Sequence, residues 1–234
     1  CCDNICYSGV ADIFRLPKFS LSFFRIQIAE GSMLPSGKMP YEVFIPAYRD
    51  EILSDTVMVY GNVDEVELVL NGKTIRRQTA DKGPDSDYIP VPNGGNGKNL
   101  HFPPFTFYGV SKERGVLKAV GYHQGKKVAE YTVKTPGVPE RLDITYFESG
   151  KPATKNDLLI VYVRMLDKQG VLCPVNGIPV ELSVQGGEIV GPTSYPLEAG
   201  VASFLVRTGE ISKININATG KGFSTRKSLK VGKE

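Results

Sequence analysis

The chain has 234 residues, of which 41% are hydrophobic and 23% charged, and its formal net charge is +3. These fractions are typical of a globular protein with one large or two ordinary domains. The basic residues are scattered, which argues against a nucleic-acid or membrane-surface partner, since either requires a clustered patch. No apolar run approaches the roughly 20 residues of a membrane span, and the first residues lack the basic and then apolar segments of a secretory signal.

The cysteines and histidines do not form a metal-binding pattern. Cys1, Cys2 and Cys6 crowd the first six residues, and Cys173 stands alone far along the chain. This spacing contains no Cys-x-x-Cys pair, and the two histidines are distant in sequence. We therefore expect free thiols, and we predict neither a structural zinc ion nor a cofactor.

The first 32 residues differ in pattern from the rest of the chain. The apolar residues Phe19, Phe23 and Ile26 recur at intervals of four and three, which predicts a helix over about 16–28. Pro17 fits the first turn of such a helix. Because the helix is too apolar to stand alone, we expect it to dock on the following sandwich, to self-associate with a neighbouring chain, or to remain partly disordered.

Residues 56–74 give the clearest sheet signal in the chain. Val66, Leu68 and Leu70 alternate with other residues, and a period of two places such a set on one buried face of a strand. Gly61–Asp64 has the length and the chemistry of a turn between this strand and the one before it. The stretch therefore predicts two strands of an antiparallel sheet.

Two hairpins and one long loop complete the first predicted sandwich, 33–136. Asn71–Gly72 is a strong signal for a two-residue hairpin turn, because both residues tolerate positive φ. A second hairpin is predicted to join 116–122 to 128–133 through a glycine turn. The polar, turn-rich segment 76–99 reads as a long surface loop.

Acidic residues occur in several close groups, which we weigh against ordinary surface chemistry. Asp81, Asp85 and Asp87 offer the oxygen ligands that calcium prefers, but their spacing is that of ordinary turns. Glu65 and Glu67 lie on the outward face of a predicted strand, where a solvated pair is the better interpretation. We predict no metal site and no catalytic pair among them.

A second pattern of short strands begins after Thr135–Pro139, where two prolines and a glycine end the preceding strand. Turns recur about every ten residues, which is typical of an immunoglobulin-like sandwich over 137–234. The chain lacks the Cys…Trp…Cys core of antibody domains, since it contains no tryptophan. The predicted strands are 142–147, 158–166, 179–184, 201–206 and 214–218.

Several runs resemble a known enzyme family. Ser8–Ser20, Ser-Gly-Val-Ala-Asp-Ile-Phe-Arg-Leu-Pro-Lys-Phe-Ser, continues into the Phe-Phe-Arg-Ile-Gln of Phe23–Gln27. It resembles the closing segment of the (β/α)8 barrel of family 2 glycoside hydrolases, the group of beta-galactosidases and beta-glucuronidases. Asn62–Lys73 and Gly115–Tyr122 resemble the sandwich domain that follows the barrel in many bacterial members. Val161–Gly170 resembles bacterial immunoglobulin-like repeats of the invasin kind.

The resemblance implies an all-β chain of two immunoglobulin-like sandwiches, 33–136 and 137–234, preceded by a helical barrel remnant, 1–32. Family members carry the two catalytic carboxyl groups on upstream barrel strands, so we expect no catalytic residue and no activity in this chain alone. The expected partners are the upstream barrel of the same polypeptide and, through the parent enzyme, carbohydrate. Bacterial relatives of this layout are commonly periplasmic or exported, and we expect the same location here.

The resemblance also suggests a substrate branch and three candidate site residues. Beta-glucuronidases carry an Asn-x-Lys motif that meets the sugar carboxylate, and Asn4–Gly9 lacks it, which favours a parent that hydrolyses beta-galactosides. Asp12, Arg15 and Lys18 are expected near the last βα loop, which borders the active-site mouth of such barrels. They are candidates for substrate contact, and capping of the helix after Pro17 is the alternative that we favour.

Two other functions remain open at this point. The first sandwich is a candidate carbohydrate-binding module, with Tyr48, Tyr60, Tyr88 and Tyr108 as possible stacking rings in place of the usual tryptophan. A bacterial surface stalk or adhesin built of immunoglobulin-like units is the other alternative. The phenylalanine-rich helical opening argues against a stalk, which has no use for such a segment.

Overall fold

The computed structural model describes residues 9–28, 40–47, 55–81, 100–147 and 151–232. The chain divides into two compact units, Cys1–Thr135 and Pro136–Glu234. In the described ranges, one helix and fifteen strands are present, and the strands form four antiparallel sheets. The predicted all-β class with two sandwiches is therefore confirmed. The helix α1 spans Phe19–Ile26, shorter than the predicted 16–28, and its origin in a barrel stays a prediction.

The first unit has a three-stranded sheet of order β1-β2-β5 and a four-stranded sheet of order β4-β3-β6-β7. The predicted turn at Gly61–Asp64 joins β2 to β3, which lie in different sheets, so it is a crossover rather than a hairpin turn. Val63 explains the crossover, because its side chain is buried in the core of the unit. The strands are β1 Val43–Phe44, β2 Val57–Gly61, β3 Glu65–Leu70, β4 Lys73–Thr79, β5 Phe105–Phe107, β6 Val116–His123 and β7 Lys126–Lys134.

Strand β4 corrects the predicted loop 76–99 at its beginning. Arg76, Arg77 and Gln78 pair with β3, so the loop does not begin at Arg76. The segment is polar because β4 has no partner on its other side among the described strands, and such an edge strand carries polar side chains toward water. Residues 82–99 lie outside the described residues.

Three hairpins close through two-residue turns with positive φ at both positions. They are Asn71–Gly72 at 51° and 80°, Gln124–Gly125 at 49° and 75°, and Lys221–Gly222 at 49° and 81°. This is the type I′ geometry, whose twist matches that of the flanking strands. The turn predicted at Asn71–Gly72 is confirmed, and β3 and β4 pair from Leu70 and Lys73 outward.

The core of the first unit lies between its two sheets. Val66, Leu68 and Leu70 are all buried, as the alternation predicts. Val43 of β1 packs so closely that a Cβ on Gly61 or on Gly121 would lie 2.7 or 2.8 Å from its Cγ1 atom. Gly61 therefore allows the close pairing of β1 with β2 in the same sheet, and Gly121 allows β1 to approach β6 of the other sheet.

The second unit contains two four-stranded sheets, of order β12-β10-β14-β15 and β11-β13-β9-β8. The pattern did not predict β15, because polar side chains alternate along it and its apolar positions are only half-buried. Strands β11 and β12, each of three residues, are too short for a periodicity signal. The strands are β8 Pro139–Tyr146, β9 Leu158–Asp167, β10 Pro179–Gln185, β11 Gly187–Ile189, β12 Ser194–Pro196, β13 Val201–Thr208, β14 Lys213–Gly220 and β15 Phe223–Lys230.

A buried carboxylate holds the beginning of the second unit. Asp167 is only 3% exposed, and its Oδ2 atom accepts a hydrogen bond from the Gly137 amide at 2.7 Å. Its Oδ1 atom accepts from the amides of Gln169 at 2.9 Å and Val171 at 2.8 Å. Burial by itself raises the pKa of Asp167, but backbone N–H donors outweigh it and leave the pKa below its ordinary value.

Within the described ranges, no helix has the length and apolar character needed to cross a bilayer.

Candidate functional site

The loop before α1 is folded by the carboxylate of Asp12. Its Oδ1 atom accepts hydrogen bonds from the backbone amides of Phe14 and Leu16, both at 2.8 Å. The Asp12 amide donates to the Leu16 carbonyl at 3.0 Å, and Arg15 takes a positive φ of 63° inside this turn. The carboxylate therefore satisfies backbone donors at a turn, which is a common role of aspartate.

The three predicted site residues lie together on this loop but do not cap the helix. Lys18 occupies the N-cap position of α1, and no side chain makes a cap hydrogen bond there. The favoured alternative, capping of the helix after Pro17, is therefore wrong. Asp12 and Lys18 are half-buried and Arg15 is exposed. Contact of Asp12, Arg15 and Lys18 with substrate stays a prediction.

Three different contacts attach the helix α1 to the rest of the first unit. The ring of Phe23 meets Tyr60 edge to face, with centroids 5.1 Å apart. Arg25 pairs with Glu42 at 2.6 Å. The side-chain amide of Gln27 donates to the carbonyl of Phe102 at 2.7 Å and accepts from its amide at 3.0 Å.

The same segment also exposes apolar side chains. Val10, Ile13, Leu21 and Phe24 are 38%, 75%, 36% and 59% exposed, respectively. Leu21 and Phe24 share one face of the helix, because helical residues three apart lie on the same side. We call these four residues the N-terminal apolar patch. The segment 9–28 therefore combines attachment to the rest of the first unit with four exposed apolar side chains.

The acidic pair on β3 is engaged in a surface network. Glu67 accepts hydrogen bonds from the hydroxyl groups of Thr74 and Tyr122, both at 2.7 Å. Glu65 pairs with Arg77 at 2.5 Å. The Thr74 hydroxyl, followed by that of Tyr122, lowers the pKa of Glu67 below its ordinary value. A general acid of a glycosidase requires the opposite shift, so the surroundings of Glu67 do not suit a general acid.

The other described carboxyl groups with a shifted pKa are also shifted downward. Each described carboxyl group whose pKa departs clearly from its ordinary value is shifted downward, with hydrogen-bond donors supplying the decrease. These groups are Asp64, Glu67, Glu130, Asp167 and Glu210. They are stabilised as carboxylates, which suits structural hydrogen bonding rather than proton donation.

Comparison with known proteins gives the family. Residues 54–129 match the family described as a domain of unknown function, DUF4982. A beta-galactosidase of Thermoanaerobacter pseudethanolicus is 33% identical over 218 residues, which make up 88% of this chain and 27% of that protein. A beta-galactosidase of Rhizobium radiobacter is 30% identical over 129 residues, which make up 54% of this chain and 92% of that protein.

The fold agrees with these relatives. A beta-glucuronidase structure from glycoside hydrolase family 2 superposes with a TM-score of 0.73 at 21% identity, over 97% of this chain and 23% of that one. The chain belongs to the family 2 glycoside hydrolases. It corresponds to a C-terminal region of such an enzyme and is one part of a larger polypeptide, since it spans 27% of the length of the Thermoanaerobacter relative.

The tyrosines of this glycoside hydrolase region differ in their availability for stacking on sugar. The ring of Tyr60 is stacked with Phe44 at 5.5 Å and meets Phe23 on another side. Tyr122, which the sequence reasoning did not select, has the guanidinium of Arg77 over its ring at 3.8 Å. Tyr108 is 46% exposed. Tyr48 and Tyr88 lie outside the described residues.

The described residues of this glycoside hydrolase region contain no group of three or more histidine, cysteine or acidic side chains placed to hold a metal ion. Asp81, from the predicted loop, accepts hydrogen bonds from the amide of Thr106 at 3.2 Å and from its hydroxyl at 2.5 Å. Asp85 and Asp87 lie outside the described residues, as do Cys1, Cys2 and Cys6. Cys173 is a free, buried thiol, and burial raises its pKa.

The contacts that sequence reasoning missed are side chains that bind distant backbone. Gln27 and Phe102 are 75 residues apart, and no spacing rule relates them. Gln27, a half-buried polar residue at the end of an apolar helix, was the available signal, because buried polar groups are almost always hydrogen-bonded.

Proposed function

We propose that this chain is the non-catalytic trailing part of a family 2 glycoside hydrolase and that it braces the catalytic domain of the same polypeptide. The relatives support a larger polypeptide, since this chain corresponds to 27% of the Thermoanaerobacter beta-galactosidase. The downward pKa shifts of Glu67 and Asp167 suit structural carboxylates, so neither is proposed as a catalytic acid.

The single observation that carries the proposal is that the segment 9–28 is held in place and still exposes apolar side chains. Phe23, Arg25 and Gln27 attach it to the rest of the first unit. In the N-terminal apolar patch of the same segment, Ile13 is 75% and Phe24 is 59% exposed. An attached helix with exposed apolar side chains suits a joint between two folded bodies, because exposed apolar groups of this kind mark interaction sites.

The catalytic domain is the occupant that we propose for the N-terminal apolar patch. Full burial of one large apolar side chain contributes about 1.5–3 kcal/mol, so covering Ile13 and Phe24 together is worth several kcal/mol. This contact holds the first unit against the catalytic domain, because α1 is itself attached to the rest of the first unit. The proposed parent hydrolyses beta-galactosides, as the names of the two reported curated relatives suggest.

The first experiment tests the non-catalytic role. The purified chain is incubated with a nitrophenyl beta-galactoside and, separately, with a nitrophenyl beta-glucuronide. We expect no hydrolysis of either above the rate of a buffer blank. Robust turnover that persists through repurification would contradict the proposal, because it would require a carboxyl pair within this chain.

The second experiment tests the joint in the longer natural protein. Ile13→Asp places a charge in the N-terminal apolar patch, and Ile211→Asp is the matched control at an isoleucine that is 52% exposed in the second unit. We expect Ile13→Asp to lower the temperature at which hydrolysis is lost by several degrees, with the control close to the parent. Equal behaviour of the two variants would remove the patch as the contact surface.

A further inference from the structure

The hairpin between β3 and β4 turns at an asparagine that is followed by a glycine. Asn71 and Gly72 are both exposed, and both have positive φ in the type I′ turn. Asparagine before glycine is the pair most prone to deamidation in a polypeptide, because glycine has no side chain to shield its peptide nitrogen. The reaction requires no enzyme, so its rate at Asn71 depends on how the fold holds this turn.

Deamidation closes a ring between the asparagine side chain and the following peptide group. The peptide nitrogen of Gly72 loses its proton and attacks Cγ of Asn71, so that an N–C bond forms. The Cγ–Nδ2 bond breaks, and Nδ2 takes up a proton and leaves as ammonia. Water then opens the cyclic imide at one of its two carbonyl carbons, which leaves either an aspartate or an isoaspartate at position 71.

The folded turn keeps the two reacting atoms apart. A type I′ turn is the mirror image of a type I turn, so Asn71 at its first central position takes a ψ of about +30°. Ring closure requires the peptide nitrogen of Gly72 to eclipse Cβ of Asn71 about the Cα–C bond. At the ψ of this turn the nitrogen lies nearly trans to Cβ, so the ring cannot close while the hairpin is intact.

Backbone groups at the beginning of β6 also hold the reacting side chain. Nδ2 of Asn71 donates to the Arg114 carbonyl at 3.1 Å, and Oδ1 accepts from the Val116 amide at 2.8 Å. The fit is close, since a Cβ on Gly115 would lie 1.9 Å from Oδ1 and 2.8 Å from Nδ2. The leaving nitrogen and the carbonyl oxygen of the reacting amide are therefore both bound, and the missing side chain of Gly115 provides the room.

We propose that Asn71 is a site of spontaneous deamidation, which the intact hairpin prevents and which each opening of the hairpin permits. The product cannot restore the original contact. A carboxylate can accept from the Val116 amide, but it has no hydrogen to donate to the Arg114 carbonyl. An isoaspartate also adds a methylene group to the main chain of a two-residue turn. The reaction therefore leaves a permanent mark on each molecule that has opened, and it makes later opening of the same hairpin easier.

A second asparagine–glycine pair provides an internal reference in the other unit. The sequence contains four such pairs, of which Asn71–Gly72 and Asn176–Gly177 fall in described ranges. Oδ1 of Asn176 accepts from the Ala199 amide at 2.7 Å, and the Gly177 amide donates to the Leu197 carbonyl at 2.9 Å. The reaction at Asn176 therefore reports on the second unit and does not depend on the contact of Asn71.

The test is peptide mapping by mass spectrometry after incubation of the chain at mildly alkaline pH, with isoaspartate quantified by enzymatic methylation. We expect the rate at Asn71 to be lower by about tenfold or more in native buffer than in urea, because the turn and two hydrogen bonds must first open. Gly115→Ala should raise the rate at Asn71 in native buffer and leave the rate at Asn176 unchanged. Gly121→Ala, whose Cβ would meet Val43 at 2.8 Å in the core of the same unit, is the matched control. The two variants are compared at urea concentrations that give them the same free energy of unfolding.

A third variant tests the consequence of the reaction. Asn71→Asp carries the product carboxylate at a position of positive φ, which aspartate also tolerates. At pH 7 we expect amide exchange in β3 and β4 to be about ten times faster than in the parent chain. The difference should shrink below about pH 4, where a protonated carboxyl group can donate to the Arg114 carbonyl.

Three outcomes would overturn the proposal. The first is an equal rate at Asn71 in native buffer and in urea. The second is equal acceleration by Gly115→Ala and Gly121→Ala at matched stability, which would tie the reaction to the stability of the whole first unit. The third is an Asn71→Asp hairpin that exchanges as slowly as that of the parent. None of these measurements involves the N-terminal apolar patch, so they are independent of the proposed function.

Discussion

Side-chain amides bridge backbone groups in the first unit and a buried carboxylate does so in the second, although Asp12 in the first unit also binds backbone amides. In the first unit, three side-chain amides each donate to one backbone carbonyl and accept from one backbone amide. They are Gln27 on Phe102, Asn62 on Pro40 and Glu42, and Asn71 on Arg114 and Val116. In the second unit, the carboxylate of Asp167 gathers the backbone amides of Gly137, Gln169 and Val171.

The difference teaches how each unit responds to pH and to substitution. An amide has one donor and one acceptor group and does not titrate, so it replaces a missing peptide group in a sheet at any pH. A carboxylate accepts only, binds several amides at once and forms stronger hydrogen bonds, but it must stay ionised. We therefore expect substitutions that change the local shape to weaken the amide contacts of the first unit. We expect a fall in pH to weaken the carboxylate contact of the second unit.

The largest loss of stability is expected from a substitution that leaves no room for the amide contact of Asn71. Gly115 has a φ of 139°, and a Cβ placed there would lie 1.9 Å from Oδ1 of Asn71. Gly115→Ala therefore combines backbone strain with loss of the Asn71 contact, and we expect it to reduce the free energy of unfolding by about 3–5 kcal/mol. Differential scanning calorimetry and amide exchange along β6 measure the loss.

Gly125→Ala is the matched control for this change. Gly125 also has a positive φ, of 75°, but a Cβ there meets nothing within 4 Å. Gly125→Ala should therefore reduce the free energy of unfolding only by the strain of a non-glycine residue in the left-handed conformation, about 1–2 kcal/mol. Equal losses from the two variants would show that the close fit around Asn71 has no energetic role.

A smaller effect is expected from the carboxylate of the second unit. Asp167→Asn replaces an acceptor oxygen with an amide group that cannot accept from all the surrounding N–H donors. Since hydrogen bonds to charged groups contribute about 1.5–3 kcal/mol each, we expect the second unit to lose about 2–4 kcal/mol at pH 7. The measurement is urea unfolding followed by amide exchange of residues in β9.

The same variant checks the pH dependence. The pKa of Asp167 is lower in the folded chain than its ordinary value of 3.8. Its stabilisation is therefore complete above about pH 5 and is lost as the pH falls below 4 and through the folded pKa. The stability difference between the parent chain and Asp167→Asn should shrink over that range. A difference that stays constant down to pH 3 would contradict the ionised contact.

The strands of the core could be predicted from sequence, and the contacts between chain segments could not. Val66, Leu68 and Leu70 are buried because alternation and burial are both local properties of a strand. The sheet to which a strand belongs is not local. Gly61–Asp64 has the composition of a hairpin turn. It nevertheless connects two different sheets, because the side chain of Val63 is buried in the core.

The candidate site shows the same limit. The resemblance of Ser8–Gln27 led to a functional segment, and the helical spacing of Phe19, Phe23 and Ile26 led to a helix there. The attachment of that helix depends on Phe102, a backbone partner 75 residues from Gln27. Which side chains of the helix stay exposed depends on how the rest of the first unit packs against it, and hydrophobic periodicity does not predict that packing.

The smallest effect is expected at the amide contact that attaches α1. Gln27→Ala removes both hydrogen bonds to Phe102, while the Arg25–Glu42 pair and the Phe23–Tyr60 contact remain. Because hydrogen bonds of this kind contribute about 0.5–1.5 kcal/mol each, we expect α1 to open about ten times more often, with the melting temperature of the second unit unchanged. Amide exchange of the helix measures the opening.

Gln78→Ala separates this local role from a general loss of amide contacts. Gln78 donates to the Thr106 carbonyl at 2.9 Å within the first unit, a hydrogen bond that does not involve the helix. It should leave exchange in α1 unchanged, whereas Gln27→Ala accelerates it. If both variants accelerate exchange in α1 equally, the helix follows the stability of the whole first unit, and its attachment does not depend on Gln27.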